Sequence, residues 1–366
     1  MNGGSISLKA LQQHLLGTQT AFVSYRLPGE TTPESIISTK GFYEIPHIRE
    51  VFNGKSGFII SPFLKSLPPL FLDAEFTLSG TQFTDPGIGR QEASPVPECR
   101  ITAPGKEEYI EKLLQVISGI NAGKADKVVI SRPIAAPVAN PELVIPVFEQ
   151  LCADYPHAFV YLAWMPGYGL WTGASPELLL NIETNKVTTM ALAGTRPAAG
   201  SGAWGNKEID EHEWVCRHIE EKLAASGCNE ISRSETETMT AGTVVHLKTG
   251  FKAIVENKSK GILPEALHPT PAVCGWPEKA ALDIIKNAEN YDRSFYTGFL
   301  GPVKSPNQAE FFVNLRCMQI FQDKAIVYAG GGITAASDPL AEWEETVLKS
   351  QTMLTVIRKM QNLAYF

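Results

Sequence analysis

Two hydrophobic periods alternate along the chain, and together they predict both strands and helices. Short apolar runs rich in Val, Ile, Phe and Tyr, bounded by Gly and Pro, predict strands. They include AFVSYRL (21–27), SGFIISPF (56–63), KVVISRPI (127–134), AFVYLAW (158–164), YGLWTGAS (168–175), KVTTMALAGT (186–195), TGFLGPV (297–303), AEFFVNLRCMQIF (309–321) and KAIVYAGGG (324–332). Helical spacing predicts helices over Leu8–Leu16, Lys106–Ile120, Val144–Asp154, Lys207–Ala224 and Glu278–Asn287, with a last one from about Leu340. FTDPGIGRQEASPVPE (83–98) predicts a loop. Consecutive strands with short connections predict antiparallel sheets with helices outside, an α/β (α+β) architecture. Residues 1–100 carry no motif that points to chemistry, whereas residues 101–366 carry all those that follow, and no linker separates the two parts.

Two helices carry acidic residues on their apolar stripe. In the first, Glu208 and Glu211 continue the line of Val215, Ile219 and Leu223. In the last, Glu342, Glu345 and Lys349 align with Met353, Val356, Ile357 and Met360, while Glu344, Gln351 and Arg358 face the other way. Four carboxylates placed towards a core require a cation, and an all-oxygen set suits a hard divalent ion, Mg2+ first. His212 and Cys216, four apart, offer zinc two softer ligands, with no third nitrogen or sulfur ligand nearby in sequence.

Composition narrows the function classes. The chain has 366 residues, 44% hydrophobic and 19% charged, which is enough apolar material for a large core. A net charge of -7 without a basic run argues against a nucleic-acid partner but leaves room for a small anionic substrate. Six scattered cysteines with no C-x-x-C argue against a zinc ribbon or disulfide framework and for a reducing compartment. Without a signal-peptide pattern or an apolar run of roughly 18 residues, a cytoplasmic location with no membrane partner is expected.

Other residues have the types that polar chemistry uses. Lys127 opens an apolar strand, where burial would suit a general base, and Glu177 in GASPELLL would gain proton-donor character from apolar neighbours. An LAGT turn (192–195), an AGGG turn (329–332) and Arg316 within a strand could hold carboxylates. Neither turn matches a P-loop or dinucleotide fingerprint.

Taken together, KVVISR, GASPELLL, LAGTRP, IDEHEWV, the HL at His246, LHPTPAVCGWP, YDRSFYTGFLG, NLRC, YAGGGI and AEWEETVLKSQTML resemble the chorismate-utilising enzymes over roughly residues 105–360. The resemblance implies two stacked, largely antiparallel sheets with helices outside. It implies that Glu211 and Glu345 bind Mg2+ directly, that Glu208 and Glu342 support it through water, and that the metal holds the ring carboxylate of chorismate. Tyr296, Arg316, Lys349 and the amide of Gly332 would grip the pyruvyl carboxylate, with Gly194 and Thr195 against the ring and His246 close to it.

Lysine at position 127 is similar to the water-using branch of this family. That implies isochorismate synthase activity, of the menaquinone or siderophore type, with no obligatory amidotransferase subunit. Lys127 would activate water for attack at C2 and Glu177 would protonate the departing C4 hydroxyl. Salicylate synthase, an ammonia-dependent synthase subunit and a silent chorismate-binding protein are the alternatives. Ala191 departs from the proline the family generally carries before LAG.

Overall fold

The computed structural model describes residues 5–84, 87–91, 97–138, 144–198, 202–242 and 244–363. Among the described residues there are seven α-helices: α1 (Leu8–Gly17), α2 (Lys106–Asn121), α3 (Val144–Asp154), α4 (Asn206–Ala225), α5 (Leu263–Leu267), α6 (Glu278–Ala288) and α7 (Pro339–Leu363). The first begins where Ser7 Oγ accepts the Ala10 backbone N–H at 3.2 Å, satisfying one of the free donors of its first turn. Among the described residues no helix is long and apolar enough to cross a membrane.

The strands build two large antiparallel sheets. The first, nine-stranded, runs in the order Gly275–Trp276, Lys127–Pro137, Lys324–Thr334, Cys317–Ile320, Gly169–Ser175, Phe159–Met165, Ala21–Arg26, Glu34–Ser38, Phe76–Ser79. The second, ten-stranded, runs Asn229–Arg233, Val244–Ile254, Lys186–Pro197, Leu178–Glu183, Gln308–Val313, Phe299–Ser305, Gly57–Ser61, Leu70–Asp73, Tyr43–Glu44, with Glu237–Ala241 also pairing with Val244–Ile254. The first hundred residues therefore supply strands to both sheets.

Packing follows from which face of each strand is apolar. Between the sheets, Phe159 stacks on Phe312 at 4.3 Å among Tyr25, Phe58, Tyr161 and Trp171. Outside the first sheet, Leu11, Leu15, Phe148, Val356 and Ile357 from α1, α3 and α7 close a second core. Outside the second sheet, Val215, Ile219, Leu223 and Leu263 from α4 and α5 close a third. Burial of this kind contributes about 25 cal/mol per Å² of apolar area, so the helix stripes are what dock the helices.

Three sequence expectations change. AEFFVNLRCMQIF is not one strand: Gln308–Val313 lies in the second sheet and Cys317–Ile320 in the first, and Arg316, at φ +48°, stands in the break. Arg316, in the left-handed region that few non-glycine residues adopt, falls between the two strands and in neither. AGGG is not a turn but part of the strand Lys324–Thr334, paired residue for residue with Lys127–Pro137. LAGT lies inside the strand Lys186–Pro197, where the register shifts between Ala193 and Arg196, a bulge at Gly194 and Thr195. In the 83–98 stretch, residues 85, 86 and 92–96 lie outside the described residues.

Candidate active site

Twelve of the thirteen residues singled out from the sequence line one cleft: Lys127, Glu177, Gly194, Thr195, Glu208, Glu211, His246, Tyr296, Arg316, Gly332, Glu345 and Lys349. The thirteenth, Glu342, stands just behind it, accepting from Ser337 Oγ at 2.7 Å and paired with Lys207 Nζ at 2.8 Å.

Two neighbouring crossings between the sheets form part of the cleft. Pro176 and Glu177 carry the chain from Gly169–Ser175 to Leu178–Glu183, and Asn314–Arg316 carry it back from Gln308–Val313 to Cys317–Ile320. Val313 N–H donates to the Glu177 carbonyl at 3.0 Å and Ala174 N–H to the Arg316 carbonyl at 3.0 Å, so the crossings are tied together. Glu177 is 2% exposed. Burial pushes its carboxyl up to about 8, against the pull of Lys127 and Lys349, so it can hold a proton near neutral pH. Arg316 donates to the Lys349 carbonyl at 3.1 Å, and burial lowers its pKa.

On the facing strands, missing side chains make room for charged ones. Lys127, also 2% exposed, places Nζ 3.4 Å from Glu211 Oε2. A Cβ at Gly332 would lie 2.6 Å from Lys127 Cε and 3.2 Å from Glu211 Oε2; one at Gly331 would lie 2.8 Å from Glu342 Oε2 and 3.5 Å from Glu345 Oε1. Glycine is needed here for close approach to carboxylates, not for turning. Lys349 Nζ donates to the Gly330 carbonyl at 2.9 Å and pairs with Glu345 at 2.6 Å.

The wall formed by the second sheet is less charged. Gly194 has φ +68°, and a Cβ there would approach the Cβ of Glu208 to 3.1 Å, so the bulge and α4 fit only with glycine. His246 Nδ1 is 2.9 Å from the Gly194 carbonyl, which can only accept, so Nδ1 carries the proton. Burial, helped by Arg316 and Lys349, lowers its pKa to about 3 and keeps the ring neutral. Its buried Nε2 has no hydrogen-bond partner among the described residues and is left as an acceptor. Tyr296 stacks on Tyr328 at 5.1 Å, and both line the cleft.

Sequence reasoning missed several lining residues, among them Lys207, Ala272, Val273, Thr297 and Tyr328. Lys207 had a signal, since it sits one turn before Glu211 on the same helix face; its Nζ lies 3.9 Å from Glu211 and 2.8 Å from Glu342. Burial opposes its charge, but Glu342 and Glu211 outweigh that and raise its pKa. Ala272, Val273, Thr297 and Tyr328 lie in loops or mid-strand within LHPTPAVCGWP, YDRSFYTGFLG and YAGGGI, motifs that carried the resemblance without singling these residues out.

The acidic helix faces are only partly buried. Glu211 and Glu342 are buried, Glu208 and Glu345 are half-buried, and Glu344 is exposed. Burial, reinforced by Glu345, raises the Glu342 pKa. Among the described residues no three His, Cys, Asp or Glu side chains converge as a ready cation cluster. The donor chemistry nevertheless fits a hard divalent ion, because carboxylates from α4 and α7 reach a strand stripped of side chains. His212 does not offer zinc a ligand pair. Its Nε2 is 2.7 Å from Thr249 Oγ1, burial lowers its pKa to about 4, and burial pushes the Cys216 thiol up to about 11.

Comparison with known proteins places this chain in a family. A family model described as chorismate binding enzyme matches residues 84–358. The chain belongs to that family. It is 32% identical over 246 residues to the isochorismate synthase EntC of Escherichia coli, a match covering 64% of this chain and 62% of that protein. It is 29% identical over 267 residues to the vibriobactin-specific isochorismate synthase of Vibrio cholerae, covering 69% of this chain and 67% of that protein. The fold matches the solved structure of MenF, the menaquinone-specific isochorismate synthase of Escherichia coli, with a TM-score of 0.78 at 20% identity, over 97% of this chain and 94% of that one. The two stacked sheets with helices outside thus match the fold of that solved structure.

Proposed function

We propose that this chain is an isochorismate synthase that interconverts chorismate and isochorismate with Mg2+. The observation that carries the proposal is the sharing of one cleft by two fully buried groups, Lys127 and a Glu177 whose carboxyl holds its proton to about pH 8. A protonated acid beside an amine suits a reaction in which a hydroxyl arrives at one carbon as another leaves. The names of the two sequence relatives support the same activity.

Lys127 takes a proton from the water that attacks C2. The C2–O bond forms, the ring double bonds shift, the C4–O bond breaks, and Glu177 gives its proton to the departing hydroxyl. One water enters and one leaves, so no redox change occurs. Arg316, Tyr296 and Lys349 orient the pyruvyl carboxylate, while His246 Nε2 offers an acceptor to a ring substituent. Glu211 and Glu345, supported by Glu208 and Glu342, would hold the Mg2+, which supplies positive charge for the ring carboxylate.

Incubating the protein with chorismate and MgCl2 and separating the products tests this. Isochorismate without pyruvate is expected. Salicylate with pyruvate would indicate the lyase alternative, an amine product with added ammonium the ammonia-using one, and no turnover a binding protein. Lys127→Gln is expected to lower isochorismate formation by about 10²- to 10⁴-fold while Mg2+ binding persists.

A further inference from the structure

Tyr296 and Arg316 lie on different segments, and neither segment is regular. Around Tyr296, Ser294 and Thr297 adopt φ +50° and +59°, and Arg316 adopts +48°. A β-branched residue such as Thr297 costs energy in this region and stays there only when its surroundings hold it. Asn314, 1% exposed, stands between the segments. It accepts the Thr297 N–H at 2.9 Å on its carbonyl and donates its own N–H to the Gly298 carbonyl at 2.8 Å. Its side-chain Nδ2 donates to the Phe295 carbonyl at 2.9 Å, and its Oδ1 accepts the Tyr161 hydroxyl at 2.8 Å. Its backbone carbonyl also accepts the Cys317 thiol at 3.8 Å, so every polar group of Asn314 is engaged, and three of the five bonds reach Phe295, Thr297 and Gly298 beside Tyr296.

We propose that Asn314 is a positioning residue that sets the spacing between Tyr296 and Arg316, and through them the affinity for the substrate's pyruvyl carboxylate. Only an amide can both donate to Phe295 and accept from Tyr161, so aspartate, of nearly the same size, cannot replace it. The Tyr161 hydroxyl is the second part of the brace, because it fixes which way the amide points.

This rests on the proposed function, and steady-state kinetics with chorismate and MgCl2 tests it. Asn314→Asp, and the milder Tyr161→Phe, should raise KM by about tenfold or more in the first case and severalfold in the second, with kcat changed less than KM. That split is expected because the carboxylate grip is remote from the reacting carbons. The basic limb of the pH profile should stay where wild type has it, a feature that general loosening of the site would move. An unchanged KM in folded variants, or a fall in kcat that exceeds the rise in KM, would overturn the inference alone. If Asn314→Asp does not fold, Tyr161→Phe decides by the same criterion. No turnover of chorismate by the wild-type protein would overturn the function and this inference with it.

Discussion

Lys127 and Gly332 sit on neighbouring strands such that the lysine's terminal carbons fill the place where a side chain at Gly332 would be. Gly332→Ala should therefore leave the sheet intact, since the clash is with a flexible chain end, and displace the amine instead. Turnover should fall by about 10²-fold, the usual cost of a misplacement near 1 Å. Circular dichroism and steady-state rates on the same sample check both halves.

Glu177 should set the alkaline limit of activity. The proposed mechanism needs its carboxyl protonated, so kcat/KM should fall as pH rises through about 8. A pH profile of the wild-type protein measures this directly.

The same group should cost stability at high pH. Its folded pKa lies above the ordinary 4.5, so its contribution is most favourable below pH 4.5 and is lost as pH rises towards about 8. At about 1.4 kcal/mol per pH unit the loss has an upper bound of about 5 kcal/mol. Glu177→Gln should be inactive yet melt higher than wild type at pH 9 and about level with it at pH 5. Thermal scans at both values provide the comparison.

Helix face should govern the response to magnesium. Glu345, beside Gly331 in the cleft wall, and Glu344, exposed on the outside of α7, differ by one position in sequence. Glu345→Ala should raise the Mg2+ requirement at least about tenfold, and Glu344→Ala should leave it unchanged. Equal titration curves for the two variants would refute a metal role for this helix face.

A buried ion pair braces three cleft walls. Arg293 pairs with Glu289 at 2.6 Å and donates to the Val129 and Val273 carbonyls at 2.7 and 3.0 Å and to Thr297 Oγ1 at 3.3 Å. Arg293→Met leaves a buried carboxylate unpaired and should destabilise by about 3–5 kcal/mol. Adding Glu289→Gln should recover part of that loss, so denaturation midpoints for the two singles and the double should be non-additive.

Periodicity made the helices and most strands legible, because one buried stripe or face per element leaves a regular trace. The break at Arg316 left none: Phe311–Val313 and Cys317–Ile320 are buried on both sides of it, so the apolar run reads as continuous. Glycine misled in another way. AGGG resembles a turn in sequence, but its missing side chains make space for Lys127, 205 positions before Gly332, and for Glu342, 11 positions after Gly331. Glu211 and Glu342 were legible as buried acids from their stripes. That Lys207 would stand between them depends on how α4 meets α7, which no local pattern encodes.

The two tied crossings also limit where the chain can change length. Between Ser175 and Leu178 only Pro176 and Glu177 span the gap from one sheet to the other, and three residues make the return. Neither connection has slack, so a one-residue insertion would have to shift a strand's register and turn its buried face outward. Length variation in this architecture should accumulate in loops away from these crossings, and a family-wide survey of insertions should find the two seams intact.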